Sequence, residues 1–227
     1  MTRKPLTKEP QYQALLDHKG QKGSAVLGVM NNQVWHDDPR RLVFTLSRYK
    51  FVAKLLGGKK KVLEVGCGDA FASRIVQQEV GALTAIDFDP LFIEDIKGRA
   101  DPDWPLDCAV HDMLAGPYPG KFDAIYSLDV LEHIEQDKED LFLRNALTSL
   151  TPEGVAIIGM PSLESQSYAS PQSREGHVNC KSGNDFKRLM QAYFHNVFMF
   201  SMNDEVVHTG YLPMAHYLLA VCANLKD

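Results

Sequence analysis

Lys61-Val62-Leu63-Glu64-Val65-Gly66-Cys67-Gly68-Asp69-Ala70 is the stretch that decides the fold. A short run of strand-forming residues, broken by one acid, ends in two glycines separated by a single residue. Phe71 to Val80 then reads as a helix. Strand, glycine turn and helix in that order open a unit whose next strand lies parallel to the first. In open parallel sheets, ligands bind beyond the carboxyl ends of the strands, where the chain turns into a helix. Glycines at that turn let the backbone approach a ligand closely and present free N–H groups to it.

Downstream, strand and helix signals keep alternating. Leu83 to Phe88 is a second strand, followed by a helix that starts at Pro90. Cys108 to His111 is a weak third strand and Phe122 to Leu128 a fourth. A polar helix follows from about Gln136 to Leu150, then a fifth strand from Val155 to Met160, ended by Pro161. A loop rich in Ser, Gln and Gly leads to a helix over Asp185 to Phe194. Val197 to Met202 and Tyr217 to Ala223 are the final strands. No helix separates them, so they are expected to pair antiparallel.

Upstream, Leu42, Val43, Leu46, Tyr49, Val52, Ala53 and Leu56 mark one face of a helix over Arg40 to Leu56. Asp37 or Asp38 suits its cap, Pro39 its first turn, and Gly57-Gly58 its end. Residues 1–39 show little periodicity and read as an N-terminal extension or lid on a domain spanning 40–227. The pattern predicts a Rossmann-like α/β fold: a doubly wound, seven-stranded, mostly parallel sheet whose last strand is antiparallel.

Composition narrows the partners. The 227 residues suit one domain with a full core, 44% hydrophobic and 23% charged. The net charge of −5 and a single compact basic run, Lys59-Lys60-Lys61, argue against nucleic acid. No apolar run approaches the roughly 20 residues of a membrane span, and the polar start after Met1 lacks a secretory signal core. Cys67, Cys108, Cys180 and Cys222 are scattered, with no C-x-x-C pair. Reduced thiols in a cytoplasmic protein are the expectation. Oligomeric state is left open, a homodimer being one option.

The ligand class turns on Phe71. A dinucleotide fingerprint needs a third small residue five positions after Gly66, and Phe71 stands there. The segment instead resembles the E/D-x-G-x-G-x-G motif of class I S-adenosylmethionine-dependent methyltransferases at Glu64, Gly66 and Gly68, with Ala70 replacing the last glycine. Phe122-Asp123-Ala124-Ile125-Tyr126-Ser127-Leu128-Asp129-Val130-Leu131-Glu132-His133 is similar to the family's fourth-strand segment. The likeness covers roughly residues 60–160.

The resemblance implies S-adenosylmethionine as cofactor. Gly66, Cys67 and Gly68 would pack against its methionine part, with Glu64 orienting the loop. Asp87 would hold the ribose and Phe88 line the adenine. A helix cap is the alternative role for Asp87, though Asp89 is better placed for that. Asp112 would meet the adenine amino group, and Met113 and Leu128 complete the pocket. Arg48 or Tyr49 would reach the donor carboxylate through a charge-assisted bond.

A sulfonium donor is already activated, so the protein must place the acceptor in line and remove a proton from a hydroxyl. His133 is the first candidate base, with His177 nearby in function. Asp129, Glu132 and His133 also form a D-x-x-E-H cluster similar to metal-binding clusters of small-RNA 3′-end and some ubiquinone-pathway methyltransferases. The expectation assigns no metal here. Trp35 and His36 are candidate lid residues, and His208 and Tyr211 candidate acceptor-pocket residues. The fourth-strand segment lacks the N/D-P-P-Y/F pattern of base and amide methyltransferases. A small-molecule hydroxyl is therefore the expected acceptor. The alternatives are a metal-assisted RNA or nucleotide methyltransferase and an inactive S-adenosylmethionine-binding partner protein.

Overall fold

The structure is a computed structural model and describes residues 5–226. Its centre is one sheet in the order β3-β2-β1-β4-β5-β8-β6-β7. The strands are β1 (Val62–Val65), β2 (Leu83–Asp87), β3 (Asp107–Val110), β4 (Phe122–Leu128), β5 (Leu150–Pro161), β6 (Phe194–Met202), β7 (Val207–His208) and β8 (Tyr217–Leu225). β1 to β5 pair in parallel, while β8 runs antiparallel to both β5 and β6. The expected doubly wound sheet is present with eight strands, not seven. The extra one, β7, is a two-residue edge strand pairing Ser201 with His208 and Met202 with Val207. It lies inside a stretch whose Gly210 and Pro213 masked any strand signal.

Strand burial explains the apolar runs. Along β1, β4 and β5 successive residues feed opposite faces, as the period of a strand requires. Leu63, Ile125 and Ile158 join one core with Phe142, Leu143, Phe186 and Met190. Val62, Tyr126 and Ile157 join the other with Tyr49, Val52, Leu56 and Val76. The helices that cover these faces are α3 (Pro39–Leu56) and α4 (Ser73–Gln77) on one side, with α6 (Glu139–Thr148) and α8 (Gly183–Tyr193) on the other. α5 (Pro90–Gly98) contributes Ile93 and Ile96 to a third, smaller cluster. Each fully buried Leu or Ile side chain contributes about 1.5–3 kcal/mol.

Departures from the expected elements have local causes. α4 spans five residues instead of Phe71 to Val80, because Gly66, Gly68 and Ala70 all adopt positive φ (76°, 52° and 50°) and delay the helix. α6 begins at Glu139, after Asp129 enters the left-handed region at φ 57° and Leu131–His133 form a 3-10 turn. The loop after β5 contains a 3-10 turn (Glu164–Tyr168) and α7 (Pro171–Gly176). Asp38, not Asp37, caps α3: its Oδ1 accepts from Arg40 N at 3.2 Å. Ahead of α3 the sequence predicted little structure. The chain there forms a 3-10 turn (Pro10–Tyr12), α1 (Gln13–Lys22) and α2 (Val29–Asp37). Neither helix buries an apolar residue, so the periodicity that reveals packed helices is absent. No helix among the described residues is long and apolar enough to cross a membrane.

The strand order runs outward from β1 to β3 and then returns to β4. Ligand crevices form at that reversal, which sets the glycine turn after β1 beside the end of β4.

Candidate active site at the carboxyl edge of the sheet

The glycine turn is tightly built. Gly66 N and Cys67 N both donate to Ile86 O, at 2.8 and 3.0 Å, which fastens the turn to β2. A Cβ on Gly66 would overlap the Val130 Cγ2 methyl, so the turn and the segment after β4 touch only because Gly66 has no side chain. One oxygen of the Asp87 carboxylate accepts from Gly68 N at 2.9 Å and the other from Asp89 N at 3.0 Å. Asp89 itself caps α5, its Oδ1 accepting from Leu91 N at 2.9 Å. The helix-cap role therefore belongs to Asp89, and Asp87 is left as a buried acid at the crevice. Phe88 beside it is 71% exposed, an uncovered ring at the carboxyl edge.

The other expected donor-side residues are distributed as follows. Met113 and Leu128 are buried, and Asp112 is exposed with its carboxylate accepting from Leu114 N at 2.8 Å. Cys67 is buried in the turn, where burial and the nearby Glu64 and Asp87 carboxylates push its thiol well up. An un-ionised thiol is a poor nucleophile, so it serves as a small filler. Arg48 and Tyr49 already have protein partners. Arg48 Nη1 donates to both Asp129 oxygens, at 3.0 and 2.7 Å, and the guanidinium lies 3.7 Å from the centre of the Tyr217 ring. The buried Tyr49 hydroxyl donates to Glu64 Oε1 at 2.7 Å.

Glu64 is almost fully buried on β1, and its second oxygen has no partner among the described residues. Burial pushes its pKa to about 7, opposed by the nearby hydroxyls of Ser73, Tyr49 and Tyr126, of which Tyr49 alone makes a hydrogen bond to it. A folded-state value above the unfolded one means that the native state binds the extra proton. Stability from this group is full below about pH 4.5 and falls as pH rises towards 7. The total at stake is about 3 kcal/mol, taking roughly 1.4 kcal/mol per pKa unit. Glu64→Gln keeps an oxygen for Tyr49 and carries no charge. It is expected to melt higher than the wild type at pH 8 and to lose that advantage near pH 5. Parallel melting profiles across that range would show that Glu64 is not the group responsible.

The second half of the site gathers Glu132, His133 and His177. One ligand atom from each lies within 4.8 Å of the others. His133 Nδ1 sits 2.8 Å from Gly176 O, and a carbonyl only accepts, so in the neutral ring Nδ1 carries the proton and Nε2 keeps its lone pair. His177 Nδ1 is 2.8 Å from Gln166 Oε1. That amide's orientation is set by its Nε2 donating to Ser162 O at 3.1 Å, so His177 likewise keeps a free Nε2 lone pair. Burial and the neighbouring His133 lower the pKa of His177 and favour this neutral form. Glu132 is 1% exposed, and its Oε2 has no hydrogen-bond partner among the described residues. Burial, then the adjacent Asp129 charge, push its pKa well above the ordinary carboxylate range. Two imidazoles with free Nε2 atoms, each steadied through Nδ1, and one unsatisfied buried carboxyl are a donor set that fits a divalent cation. Asp129 stands outside that set because Arg48 holds both its oxygens.

His208 is on the edge strand β7, bonded to Ser201 Oγ at 3.2 Å and Gly210 N at 2.9 Å. Tyr211 and Trp35 are exposed. Three participants had no signal in the sequence: Tyr217, which stacks on Arg48, and the pair Asn31 and Asp69. Asn31 N and Nδ2 donate to the Asp69 carboxylate at 2.8 and 2.7 Å across a separation of 38 residues.

Residues 34–194 match the profile of a family described as a methyltransferase domain. The chain is 31% identical over 103 residues to the mitochondrial ubiquinone biosynthesis O-methyltransferase of Schizosaccharomyces pombe, covering 44% of this chain and 37% of that protein. It is 31% identical over 99 residues to the 2-methyl-6-phytyl-1,4-hydroquinone methyltransferase of a Synechocystis species, covering 43% and 30%. The chain thus spans about a third of the length of these curated relatives. Among solved structures, the N-methyltransferase NodS of Bradyrhizobium japonicum, in complex with S-adenosyl-L-homocysteine, shares the fold. Its TM-score is 0.59 at 21% identity, covering 83% of this chain and 89% of that one.

Proposed function

Since the chain belongs to the methyltransferase-domain family, we propose that it transfers the methyl group of S-adenosylmethionine to a hydroxyl of a small-molecule acceptor in a biosynthetic pathway. The observation that carries this reading is Asp87. It is a buried carboxylate at the end of β2, bonded to the Gly68 amide and flanked by the uncovered Phe88 ring. An acid there accepts from two ribose hydroxyls, while a ring beside it stacks on a base. Gly66, Cys67 and Gly68 would then lie against the methionine portion, with Asp112, Met113 and Leu128 around the adenine. Arg48 has a buried Nε with no partner among the described residues, which suits the donor carboxylate. Tyr49 acts through Glu64, fixing the strand that delivers the turn. Titration calorimetry tests this directly: S-adenosylmethionine and S-adenosylhomocysteine are expected to bind, and NAD is not. No heat from either sulfur nucleoside would sink the reading.

On the acceptor side, the S–CH3 bond breaks as the O–CH3 bond forms, and the acceptor proton leaves. The free Nε2 of His133 is placed to take that proton, with His177 beside it, the ring centres being 5.2 Å apart. A second reading is favoured by the unsatisfied Glu132 oxygen: a divalent cation held by Glu132, His133 and His177. Such an ion lowers the cost of ionising an acceptor hydroxyl. Residues 1–39 complete the proposal as a lid on the 40–227 domain, in a cytoplasmic enzyme, residues 1–4 and 227 lying outside the described residues. The acidic net charge opposes an RNA acceptor. Turnover with any hydroxylated acceptor would separate the enzyme from an inactive binding partner.

A further inference from the structure

We infer that residues 28–31 form a clasp over the donor pocket, in which Met30 contacts the donor and Asp69 is the socket that seats the clasp. The inference rests on the donor reading above. The N-cap of α2 is Gly28, which has no side chain to satisfy the N–H groups of the first turn. Asp69 performs that task from the glycine turn. Its Oδ2 accepts from Asn31 N at 2.8 Å and its Oδ1 from Asn31 Nδ2 at 2.7 Å. A carboxylate at a helix N-terminus also meets the favourable end of the helix dipole. Asp69 is 2% exposed and directly follows Gly68, so the turn assigned to the donor is also the anchor of α2.

Two further contacts show how close this seating is. A Cβ on Gly28 would overlap the Asp69 side chain, and a Cβ on Gly68 would lie 2.7 Å from Met30 Sδ. Met30 therefore roofs the turn. From behind, Arg99 Nη2 donates to Asp69 O at 2.5 Å and pairs with Asp95, whose carboxylate lies 3.4 Å from Val29 N. By contrast, Asn31 is the only buried residue of α2. α1 before it buries none, and Lys22 of α1 pairs with Asp103 at the surface. Polar capping at one point holds the clasp down instead of an apolar face, so it can lift without opening the core.

Stopped-flow release of S-adenosylhomocysteine, with hydrogen exchange of the α2 amides, tests the clasp. Asn31→Ala, which loses the Nδ2 hydrogen bond to the Asp69 carboxylate, and Gly28→Ala, whose Cβ would displace that carboxylate, are expected to release the nucleoside roughly tenfold faster, the scale of a lost hydrogen bond to a charged group, with association little changed. Asn31→Asp sets a second acid against Asp69. It should release faster than Asn31→Ala at pH 8 and slow as the pH falls and that acid protonates, which a purely steric role would not produce. The nucleoside should protect the α2 amides in the wild type and less in these variants. Met30→Ala should weaken binding while leaving α2 exchange in the free protein unchanged. Wild-type release rates in folded Asn31→Ala and Gly28→Ala proteins overturn the clasp alone. A wild type that binds neither sulfur nucleoside overturns the donor reading, and the clasp with it.

Discussion

Asp87→Ala is expected to weaken S-adenosylmethionine binding by ~10- to 100-fold, since a lost hydrogen bond to a charged group costs about 1.5–3 kcal/mol. Two losses coincide in this variant. The ribose would lose its acceptor, and Gly68 N would lose the carboxylate that holds the turn at 2.9 Å. Asp87→Asn keeps one carbonyl oxygen and should fall between the wild type and the alanine variant. Asp89→Ala is the matched control. It removes the α5 cap, with a stability cost of about 1 kcal/mol, and should leave donor affinity near the wild-type value. Calorimetric Kd values for the three variants decide the matter: equal weakening by Asp87→Ala and Asp89→Ala would mean that the loop is merely destabilised and the ribose assignment is wrong.

His133→Ala is expected to lower turnover by about 10²- to 10⁴-fold, the range for removing a group that handles a proton in the transition state. Donor affinity should stay unchanged, because His133 lies on the segment after β4 and not on the glycine turn. Glu132→Gln tells the two acceptor-side readings apart. It replaces a buried carboxyl whose Oε2 lacks a partner with an amide of the same size that cannot become an anion. With a cation at Glu132, His133 and His177, Glu132→Gln should match the loss in His133→Ala, a chelator should reproduce both, and the wild type alone should bind Mn²⁺ by calorimetry. With His133 as a base and no ion, Glu132→Gln should keep most of the turnover and chelation should change nothing. The unpartnered Glu132 Oε2 belongs with the first outcome, while the free Nε2 of His133 serves either. Full turnover in His133→Ala would remove this cluster from the chemistry under either reading.

Elements with strong local signals were legible from the chain itself. β4 is found at Phe122–Leu128 as expected, and α3 runs from Pro39 to Leu56 with Asp38 as its cap. The apolar runs of β1, β2 and β5 also mark their strands, because central strands buried on both faces need continuous apolar residues. Short or exposed elements were not legible. β7 has two residues, and α1 and α2 lack a packed apolar face, whereas α4 was legible as a helix but spans five residues, not the whole of Phe71 to Val80. In the site, Glu64, Gly66, Gly68 and Asp87 stand out because their spacing on one strand–turn unit and its neighbour carries the pattern. Arg48 was noticed for the donor carboxylate, but its pairing with Asp129 was not legible, since nothing near residue 48 announces a partner 81 positions later.

By itself, the chain determined a mostly parallel sheet, a glycine turn after its first strand and an acid after its second, because each is written in residues only a few positions apart. Tertiary structure alone decided which polar groups meet. It brought Glu132 and His133 to His177, turned Asp129 towards Arg48 and set Asp69 under Asn31. Those pairings depend on the strand reversal between β1 and β4 and on how the N-terminal helices settle against it. Contacts between residues tens of positions apart leave no local periodicity, and so they exist only once the chain has folded.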